Sequence, residues 1–165
     1  MAIDAIFGLQ FALSLAAYGI VAAKLSGWFD QLDWYDAMFL LLAPHAFRHL
    51  GLVFLVPGVV APTMPGDFSA GAAYGDLATA VAAILTLVAL GRRWAVAIPL
   101  VWLVNVVGVF DLANALPQIE AVPHFNAAWY VPTFVVPLLL VTHAMMLIRL
   151  VRASPSRQDT LAHRG

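Results

Sequence analysis

Apolar residues along this chain gather into five stretches, each long enough to cross a bilayer, separated by short polar or turn-forming segments. A spanning helix needs about 20 predominantly apolar residues to cross roughly 30 Å of hydrocarbon. The pattern predicts helices over Ile3–Leu25, Ala37–Val60, Ala72–Leu90, Trp94–Leu112 and Trp129–Leu150. The connections fit this division. Trp28 to Asp36 places aromatic residues and three aspartates between the first two spans, and Asp30, Asp33 and Asp36 recur at helical spacing, as on a short solvated interfacial helix. Ala61-Pro62-Thr63-Met64-Pro65-Gly66-Asp67 is turn chemistry, and Gly91-Arg92-Arg93 is a tight hairpin. Residues 1–152 form one five-helix domain, and the polar tail 153–165 reads as disordered.

Composition strengthens this picture. The chain is 63% hydrophobic and 10% charged, against about 25% charged in a typical soluble domain. A soluble fold of this size could not hide so much apolar surface. The fold class expected is therefore an all-α integral membrane bundle of five transmembrane helices. The first charge is Asp4 and no basic region precedes the first apolar run, so that run is expected to stay in the protein as a span.

The cations orient the bundle. Lys24 follows the first span, Arg92 and Arg93 lie between the third and fourth, and Arg149, Arg152, Arg157 and Arg164 end the fifth and form the tail. With five spans all of them fall on one side, which the positive-inside rule makes the cytoplasm. The N-terminus is then outside, the C-terminus cytoplasmic, and the expected location is a bacterial inner membrane crossed several times. The absence of cysteine excludes disulfides, thiolate metal sites and cysteine nucleophiles. No phosphate loop, nucleophile motif or nucleic-acid signature is present.

Small residues recur every fourth position in two spans: Gly8, Ala12 and Ala16, then Gly71, Gly75, Thr79 and Ala83. Such ladders let helix backbones approach closely. Pro57, Pro99, Pro132 and Pro137 are expected to kink or locally open their helices.

The candidate chemistry lies inside the second span. On an α-helix, His45, Arg48, His49 and Leu52 share one face. An ionisable group at mid-membrane costs a few kcal/mol or more and normally faces the bundle interior with a partner. His143 in the fifth span falls at the same depth as His45, and Asn105 in the fourth is the remaining deep polar group. A second set maps to the outer ends of the helices: Tyr74, Asp76, Asp111, Asn114, Glu120, His124 and Tyr130. No cation on that side is available to these acids, and Arg48 has no evident carboxylate at its depth. An uncompensated guanidinium invites an anionic or carbonyl-bearing guest.

Three readings of the inner set follow. It is a structural polar network, a ligand site, or a proton or ion path. As a ligand site it would take a lipophilic molecule such as a haem, a quinone or an isoprenoid, with His45 or His49 opposing His143 across an iron, or His and Asn bonding quinone carbonyls. His45 and His49 could also share one metal ion, though a third ligand is lacking unless His143 joins, and no dedicated metal site is assigned. Membrane lipid and further subunits, like or unlike, are the partners expected. An accessory subunit of a larger assembly and a small transporter or membrane-embedded enzyme are the alternatives.

Arg48-His49-Leu50 resembles the Arg-His-Leu core of a signature in the cytochrome b subunit of succinate dehydrogenase, whose histidine binds haem. The match covers three residues. The upstream histidine of that signature is farther away than His45, the downstream aspartate is missing, and that family has three spans. Phe47 to Gly58, followed by Ala73-Tyr74-Gly75-Asp76-Leu77, resembles small uncharacterised bacterial membrane proteins, a resemblance that implies no activity.

Overall fold

The computed structural model describes residues 2–152, and the expectation for the tail 153–165 lies outside them. Helix α1 spans Ile3–Phe29 and α2 spans Trp34–Leu42, which continues as a 3-10 helix over Ala43–Leu55. Helix α3 spans Gly66–Gly91 and α4 spans Ala97–Ala115. Short 3-10 turns at Ile119–His124 and Asn126–Trp129 lead through a π turn, Val131–Val135, into α5, Val136–Arg152. Five helical stretches are long and apolar enough to cross a membrane, the second being Trp34–Leu55 and the fifth Asn126–Arg152. A helical stretch of that length stands at each of the five predicted runs; the first, third and fifth are longer than the run, and the second ends at Leu55 rather than Val60.

The cationic residues hold one end together. Asp33 caps α2 by accepting from the Tyr35 N–H at 2.9 Å, so the chain turns there and the three aspartates do not ride a helix of their own. Arg93, in the hairpin between α3 and α4, pairs with Asp33 at 2.9 Å and Asp36 at 3.2 Å. Arg149 near the end of α5 reaches Asp30 at 2.7 Å. These pairs are exposed and each adds little to stability, but they place both hairpins and the end of α5 on one side.

The prolines act locally. Pro44 opens the 3-10 segment; it has no N–H to continue the α-helical ladder, and the chain tightens at that point. Pro57 lies beyond the segment in a turn with Gly58 at φ +84. Pro99 sits in the first turn of α4, where a missing N–H costs nothing. Pro132 lies in the π turn and Pro137 directly after it, so these two do open their helix.

Two apolar cores lie at opposite ends. Met38, Leu41, Leu42, Leu90, Val101, Val104, Met146 and Leu150 pack at the cationic end. Phe54, Phe68, Val122 and Phe125 pack at the other, with Phe54, Phe68 and Phe125 forming a triangle of ring contacts at 5.5–5.9 Å. Between them lies a buried polar layer. Helix α1 is peripheral: none of its residues is buried, and it meets the rest through Phe7 and Tyr18, with Tyr18 against Phe134 at 5.5 Å and Phe7 against Trp129 at 5.6 Å. The α3 ladder is used, since Thr79 and Ala83 are fully buried and Gly75 is a close contact. The α1 ladder is not: Gly8, Ala12 and Ala16 face outward, and a Cβ at Gly8 would meet nothing within 4 Å.

Candidate functional site

The polar layer is built on the 3-10 helix. With about three residues per turn, every third side chain stands on the same line, and His45, Arg48, Gly51 and Phe54 are the buried residues of this segment. The α-helical spacing placed His49 and Leu52 with His45 and Arg48. The tighter winding turns His49 outward, where it is exposed and its ring Nδ1 meets only the Ala46 carbonyl of its own helix, at 3.0 Å. His49 is therefore not part of the buried site.

Arg48 is the hub. Its side chain is fully buried. Nε donates to Asp76 Oδ1 at 2.6 Å, Nη2 donates to Asp111 Oδ2, and Nη1 donates to the Gly108 carbonyl at 3.3 Å. The two sets separated in the sequence thus meet at three residues: the aspartates assigned to the outer ends of their helices are the partners of the arginine assigned to mid-span. Two features of the fold bring them level. Helix α3 begins at Gly66, so Asp76 is well inside it. The 3-10 rise of about 2.0 Å per residue, against about 1.5 Å in an α-helix, carries Arg48 roughly 3 Å farther along its span than α-helical counting does. The expectation of an uncompensated guanidinium is overturned, because one cation faces two carboxylates.

Two imidazoles lie beside this triad. His45 and His143 are 0% and 1% exposed, with ring centroids 4.1 Å apart and tilted by 58°. The Thr142 hydroxyl donates to the backbone carbonyls of Leu138 and Leu139 at 3.1 and 3.0 Å, so it must accept from His45 Nε2 at 2.9 Å. Asn105 donates from Nδ2 to the Val101 carbonyl at 2.8 Å, leaving Oδ1 to accept from His143 Nδ1 at 3.0 Å. The hydrogen bonds therefore assign opposite tautomers, Nε2–H on His45 and Nδ1–H on His143. His45 Nδ1 and His143 Nε2 are left buried without a partner.

Glycine makes this crowding possible. Gly51 receives the Asp76 side chain, whose Cβ would lie 2.6 Å from a Cβ at that position, and Gly75 receives the Asp111 carboxylate. A Cβ at Gly108 would stand 2.7 Å from the His143 ring and 2.8 Å from Arg48 Nη1. One glycine on each of the three elements that bear the triad is filled by a triad or imidazole side chain from a neighbouring element. That coincidence was available in the sequence as Gly51, Gly75 and Gly108, but only the register of the elements reveals it.

Above the carboxylates lies an apolar cleft with a cavity volume of about 60 Å³, open on one side. Its walls are aromatic and aliphatic, among them Phe7, Phe54, Phe68, Ala72 and Phe125, and Asp76 and Asp111 are the only acidic groups in its lining. Sequence reasoning found both aspartates but not the cleft, since its walls come from segments far apart in the chain. The other residues of the outer set do not join it. Tyr74 and Tyr130 are 61% and 71% exposed, Asn114 and Glu120 are exposed, and His124 meets Thr63 Oγ1 at 3.0 Å through Nδ1.

The cofactor geometries read from the sequence fare unequally. Rings in contact at 4.1 Å leave no room for a porphyrin plane between His45 and His143, and Arg48 is already spent on aspartates, so the residues do not fit a haem held from both faces. His45 and His49 lie on different faces and cannot share an ion. Among the described residues no group of three or more His, Asp or Glu is placed to hold a metal ion.

The fold and site together define an all-helical bundle with five helices of bilayer length and a buried arginine–aspartate–histidine layer. The chain belongs to the family described as a domain of unknown function, DUF8737, whose model matches residues 6–151. No curated protein matches it. No solved structure matches it either.

Proposed function

We propose that this is a multi-pass membrane protein that binds a lipophilic small molecule in the aromatic cleft, with the molecule's polar end at Asp76 and Asp111. The observation that carries this reading is the cleft itself: apolar walls closed at one end by two carboxylates that are ordered by Arg48. Binding sites commonly pair such walls with a few fixed polar groups. The cationic end would face the cytoplasm of a bacterial inner membrane, so the cleft, at the opposite end, would lie in the outer half of the bilayer with the N-terminus outside.

The polar floor constrains the ligand. Arg48 spends three of its five N–H groups within the chain, and its fully buried side chain does not line the cleft. A quinone carbonyl would find no free donor there, whereas a hydroxyl, as on an isoprenoid alcohol or a hydroquinone, would find carboxylate acceptors. The experiment is solvent extraction of the protein purified in mild detergent, followed by mass spectrometry of what it retains, beside an Ala72→Phe variant that fills the cleft. A retained lipophilic molecule lost in the variant supports the reading. Identical extracts from both proteins refute it.

A second reading, a structural subunit of a larger membrane assembly, is favoured by α1, whose small-residue face meets nothing in this chain. Cross-linking in intact membranes through a residue introduced at Ala12 tests it. A specific adduct with another chain supports this reading and its absence refutes it.

A further inference from the structure

The sign of the buried charge identifies the head group that the cleft would accept. One guanidinium faces two carboxylates, so the triad carries a formal surplus of one negative charge when both are ionised. No other cation offsets it: Lys24, Arg92, Arg93, Arg149 and Arg152, the remaining basic residues of the described chain, belong to the opposite end. Besides the two aspartates, His45 and His143 are the titratable groups that lie against the triad among the described residues; each bonds through one ring nitrogen and leaves the other buried without a partner, which a neutral ring bears more cheaply than an imidazolium with a stranded N–H.

Each aspartate spends one oxygen on Arg48, Asp76 through Oδ1 and Asp111 through Oδ2. Asp76 Oδ2 and Asp111 Oδ1 rest against Gly51 and Gly75, and no hydrogen bond from the described residues reaches them. Both side chains keep some exposure, 14% and 18%, and both line the cleft. A surplus charge under an apolar ceiling of low dielectric is costly, and a cation there is favoured far more than in water. An anionic head would meet like charge. A neutral hydroxyl would satisfy one acceptor and leave the charge.

We propose that the cleft is selective for an amphiphile with a protonated amine head, whose N–H groups bond the free carboxylate oxygens while its apolar body lies among Phe7, Phe54, Phe68 and Phe125. This rests on the binding reading above and specifies its ligand class. Charge-assisted hydrogen bonds of this kind are roughly twice as strong as neutral ones.

The test compares dodecylamine, dodecanol and dodecanoate at neutral pH, binding to the full chain in an uncharged detergent. Calorimetry is run in parallel on Ala72→Phe to subtract partition into the micelle. Cleft-specific affinity for the amine is expected to exceed that for the alcohol by about tenfold or more, and the carboxylate to bind weakest. Asp111→Asn, which removes the surplus charge, is expected to bring the amine-to-alcohol ratio close to one. Equal affinity for amine and alcohol, or a carboxylate that binds as well as the amine, overturns the selectivity while leaving the cleft a binding site. Absence of any difference between the protein and Ala72→Phe for all three probes overturns the binding reading itself. If Asp111→Asn does not fold, the comparison of head groups on the unmodified protein decides.

Discussion

Asn105 holds His143 through a single bond, Oδ1 to Nδ1 at 3.0 Å, and its own amide is anchored to the Val101 carbonyl one turn back on the same helix. The asparagine thus links α4 to α5 while fixing which nitrogen of the imidazole carries the proton. Replacing Asn105 by Leu leaves a buried N–H without an acceptor, at a cost of about 1–3 kcal/mol. In the His143→Phe background the same replacement should cost clearly less, since the stranded donor is gone. Unfolding of the four proteins of this cycle in detergent measures the coupling, and simple additivity would contradict the assigned bond.

Breaking the triad from its centre should be the most damaging change in the layer. Arg48→Met leaves Asp76 and Asp111 partly buried and facing each other without a cation, and removal of one partner from a buried ion pair typically costs about 3–5 kcal/mol. Restoring neutrality with Asp76→Asn and Asp111→Asn in the same chain should recover a large part of that loss. Thermal denaturation of the single and triple variants checks this. A triple variant no more stable than Arg48→Met would mean that packing of the guanidinium, not charge, dominates.

The glycines at the layer should respond oppositely to one elsewhere on α3. A methyl at Gly108 collides with His143 and Arg48, and one at Gly51 collides with Asp76. Overpacking of this kind costs about 1–3 kcal/mol. Gly71 has nothing within 4 Å of a Cβ, so Gly71→Ala should be neutral or stabilising by up to about 1 kcal/mol from helix propensity. The same melting measurements on the three alanine variants decide the matter, and equal effects at Gly71 and Gly108 would refute the close approach.

His49 separates 3-10 from α-helical winding. It is exposed in the 3-10 arrangement, so His49→Ala should change stability by no more than about 0.5 kcal/mol. His45→Ala removes a fully buried ring that packs against His143 and donates to Thr142, and should cost several times as much. Comparable losses at the two positions would indicate the α-helical face instead.

Much of this architecture was legible in the sequence. Apolar runs located the five helices, the cations gathered at one end, and the depth of His45, Arg48, His143 and Asn105 marked the polar layer. The winding of the second span was not legible. Periodicity arguments presuppose 3.6 residues per turn, and nothing short of Pro44 and the three-residue spacing of His45, Arg48, Gly51 and Phe54 signals otherwise. The same presupposition kept Asp76 and Asp111 apart from Arg48, since it set the arginine too near the cationic end. The third apolar run also began at Ala72, six residues inside α3, which made Asp76 look terminal. The sign of the site was inverted as a result, from a lone guanidinium to a surplus carboxylate.

The 3-10 segment also sets a length. Its 13 residues rise about 26 Å rather than the roughly 20 Å of an α-helix. With the nine residues of α2, the second stretch reaches about 39 Å, the same as the 26-residue α3 beside it. Overwinding thus lets 22 residues match a neighbour four residues longer. Relaxation to an α-helix would shorten the stretch by about 6 Å, leaving it mismatched against α3 and drawing Arg48 away from both aspartates. In a bilayer, the hydrophobic thickness that this bundle would tolerate is therefore coupled to the integrity of its ion triad.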